Sequence, residues 1–351
     1  AQALPFIASL PDIEARYQQL LSGAHINNTE DRPVTHHACR HPHTRPALDK
    51  LKALQNTILD SSFNKVCHIG IGGSHTGPEA LYHALSTWGS PLSLPCQFIS
   101  SHDEDHIASR VPADTFANTL FTVASKSGST IEIERIMDHI CHTYNVSKAE
   151  FLAKQCIAIT TPDTPLHTTP TLDTFLFDTG IGGRFSSTSY PSLVPLALCF
   201  GTDVITELLD GAYAMDQCSQ IMDAKNIPLL QALLQVRYRN QLHYPGLALV
   251  PYGEALARFS PFATQLIAES LGKPAPQHAD HATIITAPII LSGMGPNAQH
   301  SFFQQLHQAT PVTPVDFIIV QPNSPNQTHM LQQVVGQMAT LAESDRPSPC
   351  T

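Results

Sequence analysis

Short apolar runs alternate with amphipathic stretches along most of this chain. The runs at 66–71, 97–100, 119–124 and 156–160 have the length of buried strands. Between them, 78–87, 130–144 and 147–154 carry helical spacing. A second series follows, with helical stretches at 202–223 and 228–242, a strand at 246–250 and a helix at 254–270. It continues with a strand at 288–291, a helix at 299–308, a strand at 316–320 and a helix at 330–342. Strands alternating with helices predict βαβ units. The expected fold class is therefore α/β, as two doubly wound parallel-sheet α/β/α modules. Ahead of them, 1–25 predicts an amphipathic helix with Ile13, Tyr17, Leu20 and Leu21 on one face. A polar, proline-bearing surface arm is expected at 26–47, a helix at 48–59 and a connecting loop at 274–287. The expected organisation is a helix and arm over 1–47, a first module over 48–200 and a second over 201–351.

Composition narrows the function. The 351 residues carry 14% charged side chains and a formal net charge of −10. That balance excludes a nucleic-acid surface, which needs a basic patch or stripe. No apolar run approaches the roughly 18 residues of a membrane span, so no membrane segment is expected. The first residues show neither a basic n-region nor an apolar h-region, so no signal peptide is expected and the protein reads as cytoplasmic. Eight cysteines without a C-x-x-C read as reduced core residues rather than a disulfide framework. His36, His37, His41 and His43 cluster among prolines, with no carboxylate or cysteine at a ligand spacing, so no metal site is expected there.

Five stretches carry candidate chemistry. In VCHIGIGGSHTGPEA (66–80), Gly73 and Ser74 follow a strand and precede a helix, where backbone N–H groups can converge on an anion. In ASKSGSTIE (124–132), Ser125, Lys126, Ser127, Ser129 and Thr130 put four hydroxyls and an ammonium at a helix start. An ordinary cap needs only one hydroxyl, so the excess points to a phosphate cradle. No G-x-x-x-x-G-K-[ST] is present, and nothing points to a nucleoside triphosphate. In GIGGRFSSTS (180–189), Arg184 follows two glycines, where its fixed charge can stabilise a developing oxyanion. In QLIAESLGK (265–273), Glu269 is a candidate carboxylate base. In NAQHSFFQQLHQ (297–308), His300 opens the expected helix, with Phe302, Phe303 and Leu306 toward the core.

Taken in this order, these stretches resemble the phosphoglucose isomerase family. INNTEDRPVTHHACR near the start, FISSHDEDHI at 98–107 and NIPLLQALLQVRYRN at 226–240 belong to the same resemblance, which runs from about Ile26 to about Leu341. It implies a pair of sugar-isomerase domains that interconvert glucose 6-phosphate and fructose 6-phosphate without metal or organic cofactor. The family's phosphate loop falls on Ser125, Lys126, Ser127 and Thr130, supported by Gly73 and Ser74. Its enediolate-stabilising arginine falls on Arg184, its proton-shuttling base on Glu269 and a substrate-contacting glutamine on Gln265. Its ring-opening histidine falls on His300, which in a homodimer reaches the neighbour's site.

The sequence departs from the family in places. Leu271 stands at an asparagine position and Ala298 at a glycine position, and the family's FDQxGVExGK segment, whose lysine assists ring opening, does not follow Leu341. The leading expectation is an aldose–ketose isomerase of glycolysis and gluconeogenesis. The alternatives are a truncated, weakly active isomerase and a non-catalytic sugar-phosphate sensor of the same fold. A bifunctional glucose/mannose phosphate isomerase ranks lower, since the motifs match the long isomerases better.

Overall fold

The computed structural model describes residues 12–342 except 28, 91, 224, 275–283 and 321–327. The chain divides into two compact units, with the boundary between Gln217 and Cys218.

The first unit holds a five-stranded sheet of β1 (Lys65–Gly70), β2 (Cys96–Ile99), β3 (Thr119–Ala124), β4 (Cys156–Thr160) and β5 (Asp173–Leu176). All four strand pairs are parallel, in the order β2-β1-β3-β4-β5. Side chains alternate across the sheet, so Val66, Leu120 and Ile157 fall on one face and Cys67, Phe121 and Cys156 on the other. Helices Leu48–Leu59 and Tyr190–Phe200 cover the first face. Helices Glu104–Arg110, Ile131–Thr143 and Lys148–Gln155 cover the second. Both faces are dry, which is why β3 and β4 read as continuous apolar runs rather than alternating ones.

The second unit holds β6 (Gly246–Tyr252), β7 (Ile289–Ser292) and β8 (Val315–Ile319), again all parallel, in the order β7-β6-β8. Helix Phe259–Leu271 packs against Leu247 and Leu249, while Phe303, Leu306, Val334 and Leu341 pack with Ala248, Val250 and Tyr252. The α/β class with doubly wound parallel sheets is thus observed in both units.

Several elements differ from expectation. Of the helix expected at 1–25, the described part runs Ile13–Leu21 and stops there; residues 1–11 lie outside the described residues. Most of the expected loop at 274–287 also lies outside them. The helix expected from 78 begins at Gly73, because Gly72 takes a φ of 59° and turns the chain directly into it. The stretch 254–270 splits into a short 3-10 turn, Glu254–Leu256, and helix Phe259–Leu271. His300 does not open a helix: it caps helix Gly295–Gln299, and the next helix begins at Phe303. The arm at 26–47 is not a free surface segment. Cys39 is buried within it, and Arg40 and Arg45 pair with Asp216 at 2.6 Å and Asp210 at 2.7 Å.

Candidate active site

The strand order of the first unit reverses between β1 and β3, and in open parallel sheets that is where a crevice forms at the carboxyl ends of the strands. Gly70 and Ala124, the last residues of β1 and β3, are register partners. The turn bearing Gly73 and Ser74 and the turn at 125–130 therefore leave the sheet side by side.

The first turn is anchored from below by His68, a histidine inside an otherwise apolar strand. Its Nε2 donates to the Ser74 carbonyl at 2.7 Å, which leaves Nδ1 to accept from the Thr122 hydroxyl at 2.8 Å. Burial pushes His68 down to about 4, so it serves this contact as a neutral imidazole. Gly73 lies against the third stretch: a Cβ there would overlap the Gly183 carbonyl and the Arg184 amide. The glycine seats the arginine turn on the helix start, a role distinct from room for an anion.

In the second turn, Ser125 is buried and its Oγ lies 2.9 Å from Thr130 Oγ1, with Ser127 Oγ at 3.4 Å from the same atom. Thr130 is the N-cap of helix Ile131–Thr143 but makes no side-chain cap bond, so its hydroxyl belongs to this cluster. Gly128 has a φ of 65°, and its missing Cβ leaves room for the Thr164 side chain. Lys126 donates through Nζ to the carbonyls of Thr179 at 2.6 Å and Ile181 at 3.0 Å, tying this turn to the arginine turn. Burial, and next the charge of Arg32, lower its pKa.

Arg184 sits in the 3-10 turn Gly183–Thr188, 5% exposed, with its guanidinium 4.8 Å over the Phe185 ring. Its Nη2 donates to Glu30 Oε1 at 3.0 Å. The structure thus brings together Gly73, Ser74, Ser125, Lys126, Ser127, Thr130 and Arg184. It adds Glu30, Arg32 and His68, which motif reading passed over. The signal for His68 was available as a polar side chain in the middle of VCHIG.

The remaining candidates lie in the second unit. Gln265 and Glu269 sit one turn apart on helix Phe259–Leu271, with Gln265 Nε2 donating to Glu269 Oε2 at 3.0 Å. Glu269 is exposed, and so is His300. Among the described residues no cluster of three His, Cys, Asp or Glu has the geometry of a metal site. Also among them, no helix is long and apolar enough to cross a membrane.

A parallel sheet with this strand order, helices on both faces and polar turns at the point of reversal defines a doubly wound α/β protein. A model of the phosphoglucose isomerase family matches residues 1–346, and the chain belongs to that family. A glucose-6-phosphate isomerase of Treponema pallidum (strain Nichols) is 35% identical over 374 residues, covering 97% of this chain and 69% of that protein. The crystal structure of a glucose-6-phosphate isomerase from Chlamydia trachomatis D/UW-3/Cx matches with a TM-score of 0.85 at 30% identity, covering 97% of this chain and 71% of that one. A hypothetical protein from Thermus thermophilus, at 21% identity and a TM-score of 0.77, shares the fold over 98% of this chain and 83% of its own.

Proposed function

We propose that this chain interconverts glucose 6-phosphate and fructose 6-phosphate by proton transfer through a cis-enediolate. Membership of the phosphoglucose isomerase family supports the activity. The observation that carries the site is the pair of turns at the β1/β3 reversal, with the stretch that bears Arg184 packed on Gly73 and tied to Lys126 through the Ile181 carbonyl.

The phosphate is held by the hydroxyls of Ser125, Ser127 and Thr130, the Lys126 ammonium and the backbone at Gly73 and Ser74. It does not react; it lets binding energy at the far end of the sugar be used at the carbons that do. His300 opens the ring. Glu269, oriented by Gln265, takes the proton from C2 of the open aldose. The electron pair forms the C1–C2 double bond, and O1 becomes an oxyanion beside Arg184. Glu269 returns its proton to C1, the O2 proton leaves as the C2 carbonyl forms, and O1 is protonated. No external oxidant, metal or organic cofactor enters this balance. The working unit is a homodimer in which His300 serves the neighbouring site, in a cytoplasmic setting.

A coupled assay of glucose 6-phosphate formation from fructose 6-phosphate tests this reading. Turnover is expected, and Glu269→Gln is expected to remove roughly 10²–10⁴-fold of it, the usual worth of a general base. Phosphate-ester binding without turnover, unchanged by Glu269→Gln, would instead select the sensor.

A further inference from the structure

The arm ahead of helix Leu48–Leu59 is fastened to the turn that carries Arg184. Glu30 stands between two guanidinium groups. Its Oε1 accepts from Arg184 Nη2 at 3.0 Å, and its Oε2 accepts from both Nε and Nη2 of Arg32. Arg32 in turn donates through Nη1 to the Gly180 carbonyl at 2.6 Å. The Thr35 amide donates to that same oxygen at 3.5 Å, and the His36 ring stacks on Phe185 with centroids 4.7 Å apart.

The turn is shaped to receive this arm. A Cβ at Gly182 would lie 2.6 Å from Arg32 Nη2, and one at Gly180 would lie 2.6 Å from Thr35 Oγ1. Side chains at either position would push the arm away and take Glu30 with it.

We propose that Glu30 is a positioning residue for Arg184. This rests on the reading of Arg184 as the group that stabilises the enediolate. Electrostatic stabilisation of that kind needs a charge oriented before the reaction, not one that swings in during it. An arginine side chain has many rotamers, and a charge-assisted hydrogen bond to a carboxylate selects one of them. A carboxylate alone would also cancel the charge it holds. Here Arg32 occupies the other carboxylate oxygen, and the charges of both Glu30 and Asp178 act on nearby Lys126, so three cations face two carboxylates and the locality keeps a net positive charge. The side chain of Glu30 is 30% exposed against 5% for Arg184, so the carboxylate reaches in from the rim and fixes the buried group.

Glu30→Gln tests this, because the amide keeps the shape and loses the charge. The expected result is a kcat for fructose 6-phosphate lowered roughly 10- to 100-fold, the cost of slight misplacement, with KM little changed. Glu30→Asp keeps the charge and recovers part of the rate. In an Arg184→Lys background Glu30→Gln costs little further, because both changes act on one group. Calorimetry gives a readout without turnover. Arabinonate 5-phosphate carries a carboxylate where the enediolate charge forms, and Glu30→Gln weakens it while leaving inorganic phosphate unchanged. An unchanged kcat in Glu30→Gln overturns the proposal. So does a loss as large in the Arg184→Lys background as in the parent, or equal weakening of both anions. If the unaltered chain neither turns over fructose 6-phosphate nor binds arabinonate 5-phosphate, the isomerase reading itself falls and this proposal with it.

Discussion

The two units share a core order, β2-β1-β3 in the first and β7-β6-β8 in the second, yet they hold their candidate residues in opposite ways. In the first unit Ser74, Ser125 and Arg184 are buried and tied across turns by His68, Lys126 and Glu30. In the second, Glu269 and His300 are exposed on helix ends, and Glu269 accepts from Gln265 one turn away. A group that anchors an anion gains from rigidity, because any looseness is lost from binding. A group that carries a proton between two carbons needs reach. On the proposed roles, the same sheet architecture supports a fixed half and an accessible half.

The contrast can be broken most directly by comparing Glu269→Gln with Arg184→Ala. Both are expected to lose turnover by about 10²-fold or more. Only Arg184→Ala is expected to lose stability as well, by about 1–3 kcal/mol in urea unfolding, because it strips the Glu30 carboxylate of a charged partner. Equal unfolding midpoints for the two variants would erase the distinction between the halves.

A similar loss is expected from pH. Burial holds His68 at about 4 in the folded chain, against an ordinary value near 6.5. Between those values the unfolded chain binds a proton that the native chain does not. Stability contributed by the neutral imidazole is complete above about 6.5 and drains away as pH falls toward 4, by ~1.4 kcal/mol per unit, about 3 kcal/mol in all. His36, pushed down to about 3 first by burial and then by Arg40, acts with the same sign. His68→Asn should remove one proton's worth of this slope when urea unfolding is followed across the window.

Smaller effects sharpen the picture inside the first unit. Gly73→Ala forces the Gly183 carbonyl and the Arg184 amide to shift, with an expected cost of about 1–3 kcal/mol by thermal unfolding. Turnover should drop with it, since the arginine turn moves. Ser127 is exposed, and Ser127→Ala should leave stability unchanged while raising KM by a few-fold, in keeping with one lost hydrogen bond of about 1 kcal/mol.

Legibility followed burial. Strands β3 and β4 were readable to their end residues because both faces are dry and every side chain is apolar or small. Strand β5, Asp173–Leu176, is hard to read from the sequence because it lies at the sheet edge, half-buried, and its apolar run, Phe175 to Phe177, is shorter than a buried strand. Helix Tyr190–Phe200 is hard to read for the opposite reason. It is buried on nearly every side and holds Pro195, so it shows neither amphipathic period nor clean helical propensity. The first turn of helix Gly73–Thr87 is not legible in the sequence because the Gly77-Pro78 pair reads as a turn.

The order of apolar runs, the hydroxyl-rich turn at 125–130 and the GGR at 182–184 were set by local composition, and they suffice for an α/β class and for a family. Tertiary structure alone decided that Gly73 gives way to the Gly183 carbonyl, that Lys126 ties two turns together and that Glu30 meets Arg184 across 154 positions of chain. Periodicity reports which face of an element is dry. Which charge stands beside which is settled only when distant turns are brought to one edge of a sheet.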